Sequence, residues 1–217
     1  MSAHRDGQVR RGVLLVVAGP SGVGKGTLIK GILERHSGIE WSVSCTTRAP
    51  RSGEVQGREY YFVTEAEFER MRREGELLET AVVHGTDHYG TPRRPVEQAL
   101  AAGRDIVLEI DYQGARSVRA AMPEAALVFV APPSIEALKS RLENRKTESA
   151  SAVARRLRSA RTEVANLGMF DYLIVNDQLD QAIDALDAVY RAERLRLRAQ
   201  PWRWLQAELL AGLDAEA

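Results

Sequence analysis

Only one cysteine, Cys45, stands in the 217 residues. That excludes an internal disulfide and any zinc site built on several thiolates. Long apolar runs are missing too. The longest, Val13 to Ala18, is far short of the roughly 20 residues a bilayer-spanning helix needs. Charge of one sign is not in excess, with 30 Lys+Arg against 30 Asp+Glu, whereas a broad polyanion binder would be basic. Lysine is scarce: Lys25, Lys30, Lys139 and Lys146 are the only four, and arginine supplies the rest. Arginine suits bidentate recognition of phosphate, but a genome-wide bias raises its count equally, so only its placement is informative. Met1 to Arg11 carries charges without the apolar segment of a signal peptide. Repeats and low-complexity tracts are absent, and 44% hydrophobic residues is ordinary for a globular chain. The expectation is a soluble, cytoplasmic protein of one domain, or of one domain carrying an inserted lobe, with neither nucleic-acid nor membrane partners.

What is present alternates. Apolar strands are expected at Gly12–Ala18, Glu40–Ser44, Ile106–Ile110, Leu127–Ala131 and Tyr172–Val175. Between and after them lie helical spacings at Thr27–His36, Tyr112–Ala121, from the capping Ser134 to about Arg145, Ala152–Leu167 and Leu179–Leu197. Strands alternating with helices predict a parallel sheet covered on both faces, an α/β fold. Residues 45–95 break the rhythm with turn signals, a short helix at Ala66–Glu74 and strand-like runs at Tyr60–Val63 and Leu77–Val83. They read as a small inserted α+β lobe. The polar stretch Lys146–Ser151 reads as a mobile loop between two Arg-rich helices.

The strongest local signal is Gly19-Pro20-Ser21-Gly22-Val23-Gly24-Lys25-Gly26-Thr27, which follows a strand and opens a helix. That is the context of a P-loop. Glycines let successive N–H groups turn inward on phosphate oxygens, the helix start adds its positive end, and Lys25 reaches the β- and γ-phosphates. A nucleoside triphosphate site follows. The pattern asks for Ser or Thr directly after the lysine, but Gly26 stands there. Either Thr27 supplies the hydroxyl near Mg²⁺, or the metal is held mostly through water. P-loop proteins also carry an acidic residue at the end of a neighbouring strand, and Glu109 and Asp111 qualify. Alternation along a strand puts both on one face, suited to water-mediated metal binding; a helix cap at Tyr112 is the competing use of Asp111.

The lobe opens with Ser42-Val43-Ser44-Cys45-Thr46-Thr47-Arg48-Ala49-Pro50-Arg51-Ser52-Gly53-Glu54. Arg48 and Arg51, flanked by hydroxyls and a stiff turn, are placed to grip one phosphate from two sides. Then come Gly57-Arg58-Glu59-Tyr60-Tyr61-Phe62-Val63, Leu77-Leu78-Glu79, Tyr89-Gly90-Thr91, Leu108 to Ala115 (LEIDYQGA) and Val128 to Ser134 (VFVAPPS). With the P-loop, these seven segments in this order resemble the guanylate kinase family, from about Gly12 to about Tyr190.

The resemblance implies a P-loop three-layer fold in which residues 12–44 and 96–190 form the core, 45–95 a GMP-binding lobe and 141–156 a mobile lid; residues 191–217 read, from their own spacing, as a helical tail. It implies ATP-dependent phosphorylation of GMP to GDP with Mg²⁺. Arg48, Arg51, Tyr60 and Tyr89 would hold the GMP phosphate; Ser44, Glu79 and Thr91 would read the guanine, with Glu109 nearby. Gly19 to Thr27 and Asn176 would bind ATP. Lys25, Arg141, Arg145 and Arg156 would stabilise the moving phosphoryl group, and Thr27 and Asp111 would meet the metal through water. Two departures stand out. The chain is one residue longer than the family pattern between Gly85 and Gly90, leaving His84 and His88 as surface residues, and Glu109 fills a position where some relatives carry aspartate. No general base is evident, and an already ionised phosphate acceptor needs none. Competing readings are a guanylate-kinase-like peptide scaffold, a P-loop kinase for a phosphorylated sugar and a nucleotide sensor. The intact Lys25 loop opposes the first and the set Arg48, Arg51 and Glu79 the second. Beyond Tyr190, an apolar set including Trp202, Trp204, Leu205, Leu209 and Leu213 is expected to pack on its own domain, with a dimer contact as the alternative. A monomer or homodimer is expected.

Overall fold

The computed structural model describes residues 10–83, 87–143, 150–200 and 202–216. Its elements run β1 (Leu14–Ala18), α1 (Lys25–Arg35), β2 (Ile39–Trp41), β3 (Cys45–Thr46), β4 (Tyr61–Phe62), α2 (Glu65–Arg73), β5 (Leu77–Val83) and β6 (Asp87–Pro92). They continue with α3 (Arg93–Ala101), β7 (Asp105–Glu109), α4 (Tyr112–Ala121), β8 (Ala126–Ala131), α5 (Ile135–Glu143), α6 (Ala150–Ala165), β9 (Tyr172–Val175), α7 (Leu179–Leu195) and α8 (Arg203–Glu216). Arg145, Lys146 and His84, with most of the loop expected at 146–151, lie outside the described residues.

Strands β2, β7, β1, β8 and β9 form a parallel sheet in that spatial order. All of β1 is buried, because helices cover both faces and a strand so placed has no polar side. Leu15 and Val17 pack with Leu28, Ile29 and Ile32 of α1 and Leu186 and Tyr190 of α7. Leu14, Val16 and Ala18 face the other way, onto Val96 and Leu100 of α3 and Ala115 and Val118 of α4. The expected three layers are therefore present. β7 and β8 flank β1 on opposite sides, so the connections leaving β1 and its neighbours diverge at their C-terminal ends and open a crevice there.

Residues Cys45 to Pro92 build a second sheet, ordered β4-β3-β6-β5, parallel between β3 and β4 and antiparallel elsewhere. Its own small core joins Phe68 of α2 to Cys45 and Leu77. Thr64 starts α2 by accepting a hydrogen bond from the Glu67 amide at 3.2 Å, a side-chain cap of the usual kind.

Several expected boundaries move. The second strand is Ile39–Trp41, not Glu40–Ser44. β7 stops at Glu109, so Asp111 does not continue its alternation. Ser134 does cap α5, accepting from the Ala137 amide at 3.1 Å, and the described helix ends at Glu143. α6 ends at Ala165, with a separate turn of 3-10 helix at Leu167–Met169. The tail differs more. Leu205, Leu209, Leu210 and Leu213 of α8 remain 43% to 66% exposed, so this helix does not fold its apolar side onto the domain. No helix among the described residues is long and apolar enough to cross a membrane.

One ionic cluster pins the sheet. Asp105, fully buried at the start of β7, accepts two bonds from the Arg10 guanidinium at 2.8 and 2.6 Å, one from the Val13 amide at 2.7 Å and one from the Tyr190 hydroxyl at 2.8 Å. Removing one partner of such a group leaves the others unsatisfied, at about 3–5 kcal/mol. Asp105→Ala is accordingly expected to lose about that much stability in urea unfolding, with Michaelis constants unchanged because the cluster lies at the sheet end away from the crevice. A loss under about 1 kcal/mol would contradict the assignment.

Candidate active site

The turn after β1 is shaped by glycine. Gly24 has φ +97°, and a Cβ there would lie 2.6 Å from Asn176 Nδ2; Gly19, at φ +140°, would meet the Val130 carbonyl oxygen at 2.2 Å. Both positions combine a left-handed backbone with a neighbour too close for any side chain. Lys25 folds back over the loop, its ammonium donating to the carbonyls of Gly19 at 2.6 Å and Pro20 at 3.3 Å. A Cβ at Gly26 would sit 3.2 Å from Glu109 Oε2, a close approach that a small shift of that flexible carboxylate relieves, and in ordinary contact at 3.5 Å with the Trp41 ring. Thr27 is exposed on the first turn of α1.

Asn176, buried just past β9, donates from Nδ2 to the Val23 carbonyl at 2.8 Å, and its own carbonyl accepts from Arg141 at 3.0 Å. These residues, with Gly22, Gly24 and Thr27, line a cavity of ≈ 240 Å³ beside the loop. Arg156 of α6 donates to the Ser21 hydroxyl. Two arginines from the Arg-rich helices thus reach the phosphate loop or its wall. A second cavity of ≈ 260 Å³, lined by Gly12, Val13, Met122 and Ala125 among others, sits at the N-terminal edge of the sheet. Open parallel sheets bind ligands at the opposite, carboxyl edge, where the loop lies.

The inserted lobe gathers a second group. Arg48 donates from Nε to the Tyr89 hydroxyl at 3.1 Å and pairs with both oxygens of Glu54, at 2.9 and 3.0 Å. Its guanidinium lies 5.5 Å from the centre of the Tyr60 ring, which meets Tyr89 edge-on at 5.7 Å. Burial, the leading cause, raises the Tyr60 hydroxyl above its ordinary value. Glu54 also accepts the Arg51 amide at 2.7 Å, so one carboxylate holds both ends of the Arg48–Arg51 turn, with the Arg51 side chain exposed. Glu54 was not singled out by the sequence argument, although it closes the Arg48 segment. His88 is half-buried against the Phe68 ring at 5.2 Å rather than lying on the surface.

Two residues along β6 from Tyr89, and so on the same face, Thr91 donates its hydroxyl to Glu79 at 2.7 Å. Glu79 is 6% exposed. Burial is the main reason its carboxyl is pushed up to about 7, partly offset by the Thr91 hydrogen bond, with the nearby Asp111 charge adding to the rise. A Cβ on Gly114 of α4 would come within 3.0 Å of Glu79 Oε2, which shows how tightly that carboxyl is walled in. Ser44, half-buried, leads into β3 and accepts the Tyr61 amide through its carbonyl at 2.9 Å.

Of the two acidic residues after Leu108, Glu109 stays with the phosphate loop. Asp111 spends its side chain on the Gly114 amide at 2.8 Å, capping α4. The expectation that both share a strand face is therefore corrected: the strand ends before Asp111. No group of three or more His, Cys, Asp or Glu is arranged as a metal cage among the described residues. Also unforeseen was Glu163 of α6, 7% exposed and raised to about 7 chiefly by burial, with Lys25 acting to lower it and Asp111 to raise it. Its spacing of seven from Arg156 was the available signal.

Comparison with known proteins matches this arrangement. A family model described as guanylate kinase fits residues 11–193. The guanylate kinase of Aromatoleum aromaticum is 50% identical over 195 residues, covering 90% of this chain and 95% of that protein. That of Dechloromonas aromatica is 52% identical over 189 residues, covering 87% and 93%. Among solved structures, guanylate kinase from Anaplasma phagocytophilum superposes with a TM-score of 0.71 at 35% identity, over 91% of this chain and 94% of that one.

Proposed function

This chain belongs to the guanylate kinase family, and from that premise we propose how its two half-sites work together. The reaction moves the γ-phosphoryl group of ATP onto GMP, giving ADP and GDP. Residues 12–44 and 96–190 carry the ATP half, 45–95 the GMP half and 141–156 the lid that closes over them, with 191–217 outside the chemistry.

The observation that carries the acceptor assignment is the buried pair Glu79–Thr91. Guanine presents N1–H and its 2-amino group side by side, and one ionised carboxylate accepts both. Adenine lacks that pair and would leave a buried carboxylate unmatched, which a site of this kind rejects by roughly 10⁴-fold. Ser44 adds a hydroxyl at the same end. Tyr89, on the same face as Thr91, marks the phosphate end, where Arg48 and Tyr60 meet it and the exposed Arg51 side chain would join them on the GMP phosphate. Glu54 holds the Arg48 guanidinium until the GMP phosphate arrives.

On the donor side, backbone N–H groups from Gly19 to Thr27 cradle the phosphates, and the cavity walled by Arg141 and Asn176 takes the adenosine. Lys25 leaves the carbonyls of Gly19 and Pro20 for the β- and γ-phosphates. Arg141, Arg145 and Arg156 add positive charge where it develops on the transferred group, and lid closure excludes water. Glu109 lies between the halves, beside Gly26. The GMP phosphate oxygen is already ionised, so no side chain has to remove a proton.

The residues present fit Mg²⁺ in the way that ion usually binds, with few protein ligands and its remaining positions filled by water and substrate phosphates. Thr27 and Asp111 would meet it through water, and when bound it would neutralise charge on the β- and γ-phosphates. Both half-sites lie on one chain, so a single copy suffices, and GMP and ATP are cytoplasmic solutes.

A coupled ADP-release assay with Mg-ATP and, separately, GMP, AMP, CMP and UMP tests the reading. Turnover confined to GMP is expected. Equal turnover of AMP would remove Glu79 as the base selector, and a folded protein that binds ATP yet turns over none of the four would overturn the activity.

A further inference from the structure

Four residues of α6, Val153, Arg156, Ala160 and Glu163, recur at intervals of three and four and so share one helical face. Val153 and Ala160 are 7% and 2% exposed and pack with Leu138 and Leu142 of α5. Arg156 reaches the Ser21 hydroxyl in the phosphate loop. Two turns beyond Arg156, Glu163 is buried as well, at 7% exposure. Its Oε2 is the one buried side-chain oxygen or nitrogen without a hydrogen-bond partner among the described residues.

A buried acceptor left unpaired costs about 1–3 kcal/mol, more if charged. Such a group is a poor structural choice unless another state of the protein uses it. Two charged side chains act on it from neighbouring elements: Lys25 at the head of α1, favouring its ionised form, and Asp111 at the head of α4, opposing it. Asp111 is already engaged by the Gly114 amide. The cation that the proposed reaction draws onto the phosphates is Lys25, whose ammonium donates to the carbonyls of Gly19 and Pro20.

We propose that Glu163 is a positioning residue for phosphoryl transfer: from the part of α6 that continues beyond the lid it accepts the Lys25 ammonium as that group swings off the Gly19 and Pro20 carbonyls, and fixes it over the transferring phosphate. This rests on the phosphoryl-transfer reading above. It makes α6 a single rod that signals closure twice, through Arg156 on the loop and through Glu163 on its lysine. The carboxylate and the phosphates grip opposite sides of one ammonium, so its three N–H donors are aimed before the transition state forms.

The test is Glu163→Gln, which keeps size and burial but removes the charge, with Glu163→Asp as the charge-retaining control. Glu163→Gln is expected to lower kcat ten-fold or more while KM for GMP, bound in the other lobe, stays within about two-fold; a ten- to hundred-fold cost is typical of lost supporting interactions around a reactive centre. Glu163→Asp should recover part of kcat. The melting temperature of Glu163→Gln should stay close to that of the wild type, because the isosteric amide leaves the packing of α6 unchanged. A kcat within two-fold of wild type, or a loss of kcat that tracks a lower melting temperature in both variants, would overturn the inference. A wild-type protein inactive on GMP would instead strike the activity itself.

Discussion

Glu79→Gln is expected to lower kcat/KM for GMP by a factor on the order of 10³ and, at the same time, to make the substrate-free protein more stable at pH 8. The first effect follows from what the glutamine cannot do. Its amide turns a donor toward a base that offers only donors there, so two hydrogen bonds to a charged acceptor are lost. At about 1.5–3 kcal/mol each they amount to roughly two to four decades in kcat/KM. Discrimination against AMP should shrink by a similar factor, since AMP never made those bonds. A variant that loses less than ten-fold on GMP would place guanine recognition elsewhere.

The second effect follows from linkage. Burial raises the Glu79 carboxyl from 4.5 to about 7, so the folded chain holds a proton that the unfolded chain has released. The stability this confers is fully present below pH 4.5 and is lost as pH rises through 7. Above that the carboxylate is a burden of at most about 3 kcal/mol, at roughly 1.4 kcal/mol per pKa unit. Glutamine removes it, so thermal unfolding of the substrate-free proteins should separate at pH 8 and converge near pH 5. Catalysis runs the other way. Guanine needs the ionised form, so kcat/KM for GMP, which reports the free enzyme, should fall as pH drops below about 7. Bound guanine favours the charged carboxylate, so the same limb in kcat lies at lower pH. The Glu79→Gln profile keeps only the titration of GMP's own phosphate, which separates the two groups. Stability and recognition thus pull on Glu79 in opposite directions.

Much of the fold was legible because its signals are local. β5 at Leu77–Val83 and β9 at Tyr172–Val175 coincide with the expected runs, each an apolar stretch bounded by residues that cannot continue it. The phosphate loop was legible for the same reason: glycines, lysine and the strand–helix frame lie within a dozen residues. Asp105 was not. It opens an apolar strand, where a carboxylate looks like a solvated start, and its partners Arg10 and Val13 are 95 and 92 residues away. No period encodes a pair so distant. Asp111 misled for a different reason: alternation was carried one step too far, past the point where β7 gives way to a capped helix. Glu163 was hidden by its surroundings, since an Arg-rich helix is usually solvated and only the shared face with Arg156 marks the buried side. The tail failed because apolar spacing on α8 shows which residues share a face but not what covers it.

Lys25→Met should reduce kcat by a factor on the order of 10³ with a much smaller change in KM for ATP. The ammonium rests on the Gly19 and Pro20 carbonyls at 2.6 and 3.3 Å, one side-chain swing away from the phosphates it meets in the proposed reaction. The phosphoryl group in flight spreads negative charge over its equatorial oxygens, and catalysis consists largely of meeting that charge with groups already in position. Losing one donor aimed at that charge costs about 10²–10³ in kcat, and this donor also carries a full charge into a site that closes against water. Ground-state binding suffers less, because the glycine-built cradle of backbone N–H groups and the Arg141–Asn176 wall do not depend on the lysine. Lys25→Arg is not expected to restore the rate: a planar, forked guanidinium does not present the compact point charge of an ammonium. If Lys25→Met keeps a tenth or more of wild-type kcat, the charge at the transferring group must come chiefly from the lid arginines. Combining it with Arg156→Ala then decides between the two sources. Penalties that fall well short of their sum mean that both cations serve the same phosphoryl oxygens, whereas full additivity means each acts alone.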